Sequence, residues 1–373
     1  MGTAAAYALS RMTDRRILLV DRYGLGNEDC SSNDVNRVFR YAYGNDQYYT
    51  KMAIESLALW KELMRETGQK LLVPTGLLML EGQDRSANRF CESSFETLNR
   101  LGQRASVLTG AELRKRFPQF RADKGFFDPH GAVLLARKSL EAIASQARTR
   151  GVRTLNKQVI SLPSKSRQEI RTRDGDTIEA GTTVVTVGPW TNKLLHEGLA
   201  RINPTRQQVI YLRPGKNPER FKPDACPVFF TDHHYGLPAE GIDGVKISNK
   251  ELDDPVDPET AKKTVDQDQI SQCRKACRDF IPDLADGELV QSKVCLYDMT
   301  ENSDFVIDAD PDNPDVVYGY GFSGHGFKFA PLVGRLLAEL ALEREPSFDL
   351  SRFSARQSQR TARLKGGQLG KNE

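Results

Sequence analysis

The sequence lacks the long apolar runs and the strong net charge that would indicate a membrane or nucleic-acid protein. No run approaches the roughly 20 residues that a membrane-spanning helix needs. The net charge of +3 is too weak to indicate binding to nucleic acid. Residues 1–10 lack the basic segment and long apolar core of a secretory signal, and the C-terminal residues are not a peroxisomal address. We therefore expect neither a membrane nor a nucleic-acid partner.

The six cysteines show neither a disulfide framework nor the spacing of a metal site. Cys273 and Cys277 lie one helical turn apart, but no second pair accompanies them, so a zinc site is not expected. Scattered free thiols fit a reducing compartment, and we expect a cytoplasmic protein without a bound metal. Hydrophobic residues make up 39% and charged residues 28% of the sequence, which is typical of a globular protein.

A glycine-rich segment near the C-terminus is the strongest local signal. Four glycines between positions 319 and 326 precede Lys328. Residues 316–318 predict a strand before them, and the apolar spacing of residues 333–342 predicts a helix after them, with Pro331 near its start. Without Cβ atoms, backbone N–H groups can approach a flat or anionic ligand closely. An ordinary turn needs one or two glycines, so this segment favours a ligand-binding loop.

The N-terminal residues carry part of a second motif. Residues 1–12 predict a helix, residues 17–20 a buried strand, and Asp21 ends that strand. A dinucleotide-binding motif runs from a strand through Gly-x-Gly-x-x-Gly to a helix, a second strand and an acidic residue that binds ribose hydroxyls. Gly2 and Asp21 stand where the last glycine and the acidic residue are expected. The first strand and the leading glycines have no counterpart, so we expect that the chain begins inside the motif, with part of its pyrophosphate site missing.

The segment from Gly321 to Lys328, Gly-Phe-Ser-Gly-His-Gly-Phe-Lys, resembles the C-terminal flavin loop of the monomeric sarcosine oxidase family. That family includes pipecolate and N-methyltryptophan oxidases and falls within the glycine/D-amino-acid oxidase superfamily. The resemblance implies a mixed α/β fold, in which a Rossmann-like FAD-binding domain is interleaved with a substrate domain on a mostly antiparallel sheet. It implies the following ranges: 1–80, 138–205 and 290–355 for the FAD-binding domain, 81–137 and 206–289 for the substrate domain, and 356–373 for a flexible basic tail.

Arg37 and Arg40 lie three residues apart, so on a helical turn they would share one face. Their segment is similar to the family motif whose paired arginines lie beside the flavin. The resemblance implies that Arg37 lies against the flavin ring and that Arg40 binds the substrate carboxylate, for which a guanidinium fork is suited. Asn33 and Asn36 stand where the family often has histidine and threonine. This variant is closer to the fructosyl-amino-acid oxidases, which leaves the substrate open.

Residues 234–238 and 244–248 predict paired strands that face a cavity. The resemblance implies that Tyr235 lines the substrate pocket and that Lys246 lies over the flavin. A buried ammonium group is costly unless it has a partner. A positive charge there would stabilise negative charge that develops on oxygen, whereas the alternative is an edge-strand lysine that prevents aggregation. Lys250 replaces a pocket histidine of the sarcosine enzymes.

Residues 293–300 predict a strand in which Cys295 and Tyr297 alternate with other residues. By itself, Cys295 would be an ordinary buried cysteine. The resemblance implies that its sulfur is bonded to the 8α carbon of the flavin and that Tyr297 faces the substrate. The resemblance assigns catalysis to Lys246, Arg37, Lys328 and Tyr297, and substrate binding to Arg40, Tyr235 and Lys328. Its cofactor site consists of Gly2, Asp21, Asn36, Arg37, Cys295, Gly324, His325, Gly326, Phe327 and Lys328.

The resemblance implies a monomeric, FAD-dependent oxidase of secondary-amine amino acids. Such an enzyme oxidises the C–N bond of a sarcosine-type substrate to an imine and reduces O₂ to hydrogen peroxide. Fructosyl amino acids or L-pipecolate are alternative substrates. Two further alternatives concern the activity itself. The protein is a flavin-dependent dehydrogenase, or it is a non-catalytic remnant, which the incomplete cofactor motif would explain.

Overall fold

The computed structural model describes residues 1–164, 169–251 and 254–356. The predicted basic tail, residues 356–373, lies outside these ranges apart from its first residue. The helices are α1 (Gly2–Met12), α2 (Gln47–Thr67), α3 (Arg85–Arg100), α4 (Gly110–Arg116), α5 (Ala136–Thr149), α6 (Gln267–Phe280), α7 (Pro282–Ala285) and α8 (Ala330–Ala341). Among the described residues, no helix is long and apolar enough to cross a membrane.

Short strands make up most of the remaining regular structure. In the first half of the chain they are β1 (Leu18–Asp21), β2 (Asn36–Phe39), β3 (Leu72–Pro74), β4 (Leu77–Leu80), β5 (Ser106–Thr109), β6 (Lys124–Asp128), β7 (Ala132–Leu135), β8 (Arg153–Asn156), β9 (Val159–Ser161), β10 (Glu169–Thr172), β11 (Thr177–Glu179) and β12 (Thr183–Val185). In the second half they are β13 (Asn203–Arg213), β14 (Val228–Phe230), β15 (His234–Leu237), β16 (Val245–Asn249), β17 (Glu288–Met299), β18 (Val306–Ala309) and β19 (Val316–Tyr320).

The largest sheet has eight strands in the order β17-β13-β16-β15-β14-β4-β6-β5. Strands β14 and β4 pair in parallel, and the other neighbouring pairs are antiparallel. This confirms the predicted, mostly antiparallel sheet. Its long β13–β17 ladder holds Cys295 and Tyr297 in register with Gln207 and Thr205.

The same sheet takes strands from both sides of the predicted domain boundaries. The sequence assigns residues 77–80 and 290–299 to the cofactor domain, but β4 and most of β17 hydrogen-bond into the sheet that holds β13 to β16. The sequence pattern predicts where a strand lies along the chain, but it does not predict which strand pairs with it, because the pairing strand can be far away in sequence. The domain boundaries therefore stay a prediction.

Parallel strand pairs and helices form the mixed α/β part of the fold. Strand β1 pairs in parallel with β8, and β12 pairs in parallel with β19, which is also antiparallel to β18. Helix α1 packs against α8 and α5. The helices α1 and α8 approach closely because they meet through small residues: a Cβ on Gly334 would lie 2.6 Å from the backbone of Ala4. This arrangement confirms the predicted mixed α/β class.

Arg37 and Arg40 do not lie on a helical turn, so the condition under which their spacing would give a shared face is not met. Arg37 belongs to strand β2, which pairs with β7, and Arg40 follows the end of that strand. Three-residue spacing indicates a shared face only in a helix, whereas neighbouring residues alternate sides in a strand. Pairing with the buried, apolar β7 decides the local structure here. Both arginines nevertheless line the same cavity.

Candidate active site

A cavity of about 1870 Å³ extends from the N-terminus of α1, past the end of β1, to one face of the eight-stranded sheet. Most of the residues that the sequence assigns to a site line it. These are Gly2, Asp21, Arg37, Arg40, Tyr235, Lys246, Tyr297, Gly324, His325, Gly326, Phe327 and Lys328. Asn36 and Cys295 are not part of its lining.

The first end of the cavity combines a helix N-terminus with an acidic strand end. Helix α1 begins at Gly2, and a Cβ added there would lie 2.6 Å from Thr186 Oγ1. The first N–H groups of a helix have no partner within the helix and favour an anionic ligand. Asp21 ends β1, and its Oδ1 accepts a hydrogen bond of 2.9 Å from the Tyr23 N–H. Ribose hydroxyls and phosphate oxygens are ligands that this pair of features can bind.

The glycine-rich loop crosses the middle of the cavity between β19 and α8. Gly324 has a φ of +73°, and a Cβ there would lie 2.3 Å from the Tyr297 ring. Both facts require glycine at this position. Ser56 Oγ and Trp60 Nε1, both on α2, donate to the Lys328 carbonyl at 2.6 and 2.8 Å. These two buried hydrogen bonds fix the backbone at the position from which the Lys328 side chain enters the site.

Lys328 is buried, with only 4% of its surface exposed, and its hydrogen-bond partners are neutral. Its Nζ donates to Tyr43 Oη at 2.9 Å and to the His325 carbonyl at 2.7 Å. Burial and the positive charge of Arg40 lower the pKa of Lys328 well below its usual value. A buried ammonium group without a counter-charge favours an anionic ligand, which would restore its charged form.

His325 occupies the loop without facing a charged partner. Its Nδ1 lies 3.3 Å from Tyr43 Oη and its Nε2 lies 3.1 Å from the Ser303 carbonyl. Burial and the charge of Lys328 lower the pKa of His325 well below its usual value. The imidazole is therefore neutral at physiological pH and positions the loop and Tyr43.

Arg40 lies between two aromatic rings. Its guanidinium carbon is 4.2 Å from the centroid of Tyr43 and 5.7 Å from that of Phe230. The guanidinium also donates to the carbonyl of Ala42. Stacking on aromatic faces holds the planar group while leaving N–H groups available for a carboxylate.

Lys246 takes part in a buried ion network that also includes Arg37. Its Nζ donates to Asp34 Oδ2 at 2.6 Å and to the Asn36 carbonyl at 3.0 Å. Arg37 donates to the same Asp34 oxygen, and Tyr211 Oη donates to Asp34 Oδ1 at 2.6 Å. Burial would raise the pKa of Asp34, but the charges of Lys246 and Arg37 outweigh burial and hold it below its usual range. Burial lowers the pKa of Lys246, and the Asp34 carboxylate opposes that shift.

Asp34 is the site residue that the sequence reasoning missed. The sequence requires a partner for Lys246, because a lysine in an apolar strand is costly to bury alone. Asp34 lies between Asn33 and Asn36, three residues before Arg37, and this position in the arginine segment is the one local signal that could have found it. The two partners lie 212 residues apart in the chain, so spacing could not join them.

Cys295 lies beside the cavity, behind Arg37. It is 5% exposed, and the Arg37 guanidinium lies 3.5 Å from its Sγ. Residues two apart in a strand share a face, so Cys295 lies on the same side of β17 as Tyr297, and its cross-strand neighbour Gln207 also lines the cavity. The Asn36 side chain is directed elsewhere, and its Nδ2 donates to the Glu240 carbonyl at 3.0 Å.

These donors fit a flavin dinucleotide. One end of the cavity offers a helix N-terminus and Asp21, and the loop of residues 319–328 offers close backbone approach. Ser31 Oγ is a buried cavity-lining atom that has no hydrogen-bond partner within the described ranges, as expected of a group that a ligand would contact. With the mixed α/β fold, this donor set defines a flavin-dependent oxidoreductase.

A family model described as FAD dependent oxidoreductase matches residues 1–340. The chain belongs to this family.

Several known proteins are similar to most of the chain. The monomeric sarcosine oxidase of Bacillus sp. (strain B-0618) is 31% identical over 368 residues, which cover 95% of this chain and 93% of that protein. The peroxisomal sarcosine oxidase of Homo sapiens is 32% identical over 369 residues, which cover 94% of this chain and 92% of that protein. The open form of NikD, described as an unusual amino acid oxidase, superposes with a TM-score of 0.81 at 24% identity and covers 95% of this chain and 94% of its own, which supports the fold.

We expect Asp34→Asn to lower the free energy of unfolding by about 3–5 kcal/mol, because it leaves the buried charges of Lys246 and Arg37 without a counter-charge. Denaturant unfolding of the flavin-loaded protein measures this change. Tyr211→Phe is the matched control, since it removes one hydrogen bond to the same carboxylate and should cost only about 1 kcal/mol. Equal losses in the two variants would show that the charge of Asp34 contributes nothing beyond its hydrogen bonds.

Proposed function

We propose that the protein is an FAD-dependent oxidase of secondary-amine amino acids of the sarcosine or N-methyl type. The observation that carries this proposal is the position of Arg40 and Lys328, two basic groups with neutral partners, in the same cavity as the buried Lys246. The sarcosine oxidases that are 31% and 32% identical over nearly the whole chain support it.

In this proposal the residues that hold the cofactor come from both ends of the cavity. Gly2 and Asp21 would bind the dinucleotide part, and Arg37 and the loop of residues 324–328 would contact the flavin. The Cys295 sulfur would be held to the flavin by a thioether, whose formation gives two electrons to the flavin and then to O₂. When bound, FAD would supply the redox chemistry: a hydride equivalent would leave the C–H bond next to the amine nitrogen and a proton would leave the nitrogen, which gives an imine, and O₂ would take up the two electrons as hydrogen peroxide.

The protein residues position the substrate and supply charge. Arg40 and Lys328 bind its carboxylate, and Tyr235 and Tyr297 form walls of the pocket. No side chain need act as a strong base if the amine binds in its neutral form. Lys246 places a positive charge where oxygen gains negative charge, which is the electrostatic contribution expected of a fixed cation in a site from which water is excluded.

We expect a sarcosine-type substrate to reduce the flavin and to yield one hydrogen peroxide for each amine oxidised. A peroxide assay with sarcosine, pipecolate, proline, N-methyltryptophan and fructosyl-valine tests this. Activity with fructosyl-valine alone would move the substrate class to fructosyl amino acids. Dye reduction without peroxide would instead indicate a dehydrogenase.

We expect Lys246→Met to slow flavin reoxidation by O₂ on the order of 10²-fold, because the charge that stabilises the developing anion is lost. Anaerobic reduction by the substrate should change far less. Stopped-flow absorbance follows the two half-reactions separately, and Lys275→Met, at an exposed position on α6, is the control. Equal effects on both half-reactions would remove the proposed role in oxygen activation.

We expect acid precipitation to leave the flavin absorbance in the protein pellet, because a thioether at Cys295 survives denaturation. In Cys295→Ser the absorbance should move to the supernatant. Cys226→Ser is the matched control, since Cys226 is also a buried cysteine but belongs to a hydrophobic cluster, whereas Cys295 contacts the cavity-lining Arg37. Release of flavin from the unmodified protein would exclude the covalent bond.

A further inference from the structure

The aromatic end of the cavity, which we define by Phe230, Tyr235 and Tyr297, is lined by more basic side chains than one carboxylate balances. The basic side chains that line it are Arg37, Arg40, Lys246, Lys250 and Lys328. Arg37 and Lys246 share the Asp34 carboxylate. Within the described part of the chain, no carboxylate forms an ion pair with the other three. Their hydrogen-bond partners are the backbone oxygens of Ala42, Thr231, Asp232 and His325 and the hydroxyl of Tyr43.

These three basic groups form a row along two aromatic rings. Lys328 Nζ and the Arg40 guanidinium lie 5.5 and 4.2 Å from the centroid of Tyr43. The Arg40 guanidinium and Lys250 Nζ lie 5.7 and 5.3 Å from the centroid of Phe230. Arg40 therefore shares the Tyr43 ring with Lys328 and the Phe230 ring with Lys250, which makes it the member that links the other two.

The two ends of the row differ in exposure. Lys328 is buried, whereas Lys250 is exposed and lies at the mouth of the cavity. Desolvation of the ammonium group and the positive field of Arg40 lower the pKa of Lys250 to about 8. Like charges held side by side are unfavourable, and an anion between or beside them removes that cost.

The acidic residue whose backbone carbonyl binds Lys250 does not supply this anion. Asp232 gives its backbone carbonyl to Lys250, but its carboxylate Oδ2 accepts hydrogen bonds from the N–H groups of Gln83 and Asp84 at 2.7 and 3.0 Å. The Asp232 carboxylate therefore fixes the loop before α3, and Lys250 keeps neutral partners.

In the proposed function, one substrate carboxylate is bound by Arg40 and Lys328, and Lys250 lies beside the same pocket with no carboxylate partner among the described residues. We propose that the preferred substrate carries a second carboxylate on the other substituent of its amine and that Lys250 binds it at the mouth of the cavity. The substrate class is then the N-(carboxyalkyl) amino acids. This inference rests on the proposed function for the position of the first carboxylate.

Thioether analogues test the second carboxylate without any reaction, because sulfur replaces the amine. The probes are (methylthio)acetate, thiodiacetate, 3-(carboxymethylthio)propanoate and the terminal amide of the last compound. Dissociation constants come from titration of the flavin absorbance of the loaded protein. We expect thiodiacetate or 3-(carboxymethylthio)propanoate to bind at least about tenfold more tightly than (methylthio)acetate. We also expect 3-(carboxymethylthio)propanoate to bind more tightly than its terminal amide, because its second carboxylate gains a charge-assisted hydrogen bond.

The variants assign that gain to one side chain. In Lys250→Met the ratio of diacid to monoacid affinity should fall to about one. Lys250→Arg keeps a cation at the mouth and should retain most of the ratio, and the exposed Lys275→Met should leave it unchanged. A ratio near one in the unmodified protein, or a ratio that survives in Lys250→Met, would overturn the proposal.

The test of the second carboxylate can fail or succeed independently of the test of the oxidase function. If amines are oxidised but the diacids gain no affinity, the oxidase function stands and the second carboxylate is excluded. If the diacid advantage depends on Lys250 but no secondary amine reduces the flavin, the anion site stands and the oxidase function is excluded.

Discussion

The buried carboxylate of Asp34 is the interaction on which the candidate site depends. It joins Arg37 of β2, Lys246 of β16 and Tyr211 of β13, so a single side chain connects a three-stranded sheet to the eight-stranded sheet. Two cations that would repel each other in a low-dielectric interior lie side by side because one anion lies between them. The face that Arg37 and Lys246 present to the cavity follows from this arrangement.

The basic side chains of the site fall into two groups, which differ in the partners that they contact. Around Asp34 the charges are balanced inside the protein, which keeps them in place whether or not a ligand is present. Along Tyr43 and Phe230, the partners of the basic groups among the described residues are aromatic faces, carbonyls and a hydroxyl, and in the proposed function a ligand supplies their counter-charge. The first group is suited to act on a cofactor and on oxygen, and the second group is suited to select a substrate.

Local motifs predicted much of the fold, and most of the predicted site residues line the cavity. The order of strand, glycine loop and helix around Lys328 is correct because each element follows from nearby residues, as is the antiparallel sheet around Lys246. The spacing of Arg37 and Arg40 did not reveal the local structure, because pairing with β7 makes this segment a strand. Asp34 was missed because its partner is remote in sequence, and the same distance hides which sheet a strand joins.

The hydrogen bonds from Ser56 and Trp60 to the Lys328 carbonyl have a consequence for the synthesis of the chain. Trp60 leaves the ribosome 268 residues before its acceptor does. Until Lys328 has been synthesised, the apolar face of α2 and the polar groups of Ser56 and Trp60 lack their native partners. In the same way, Asp34 lacks its partner until Lys246 has been synthesised. The N-terminal part of the protein therefore cannot reach its final packing during translation, and the site closes only when nearly the whole chain has been made.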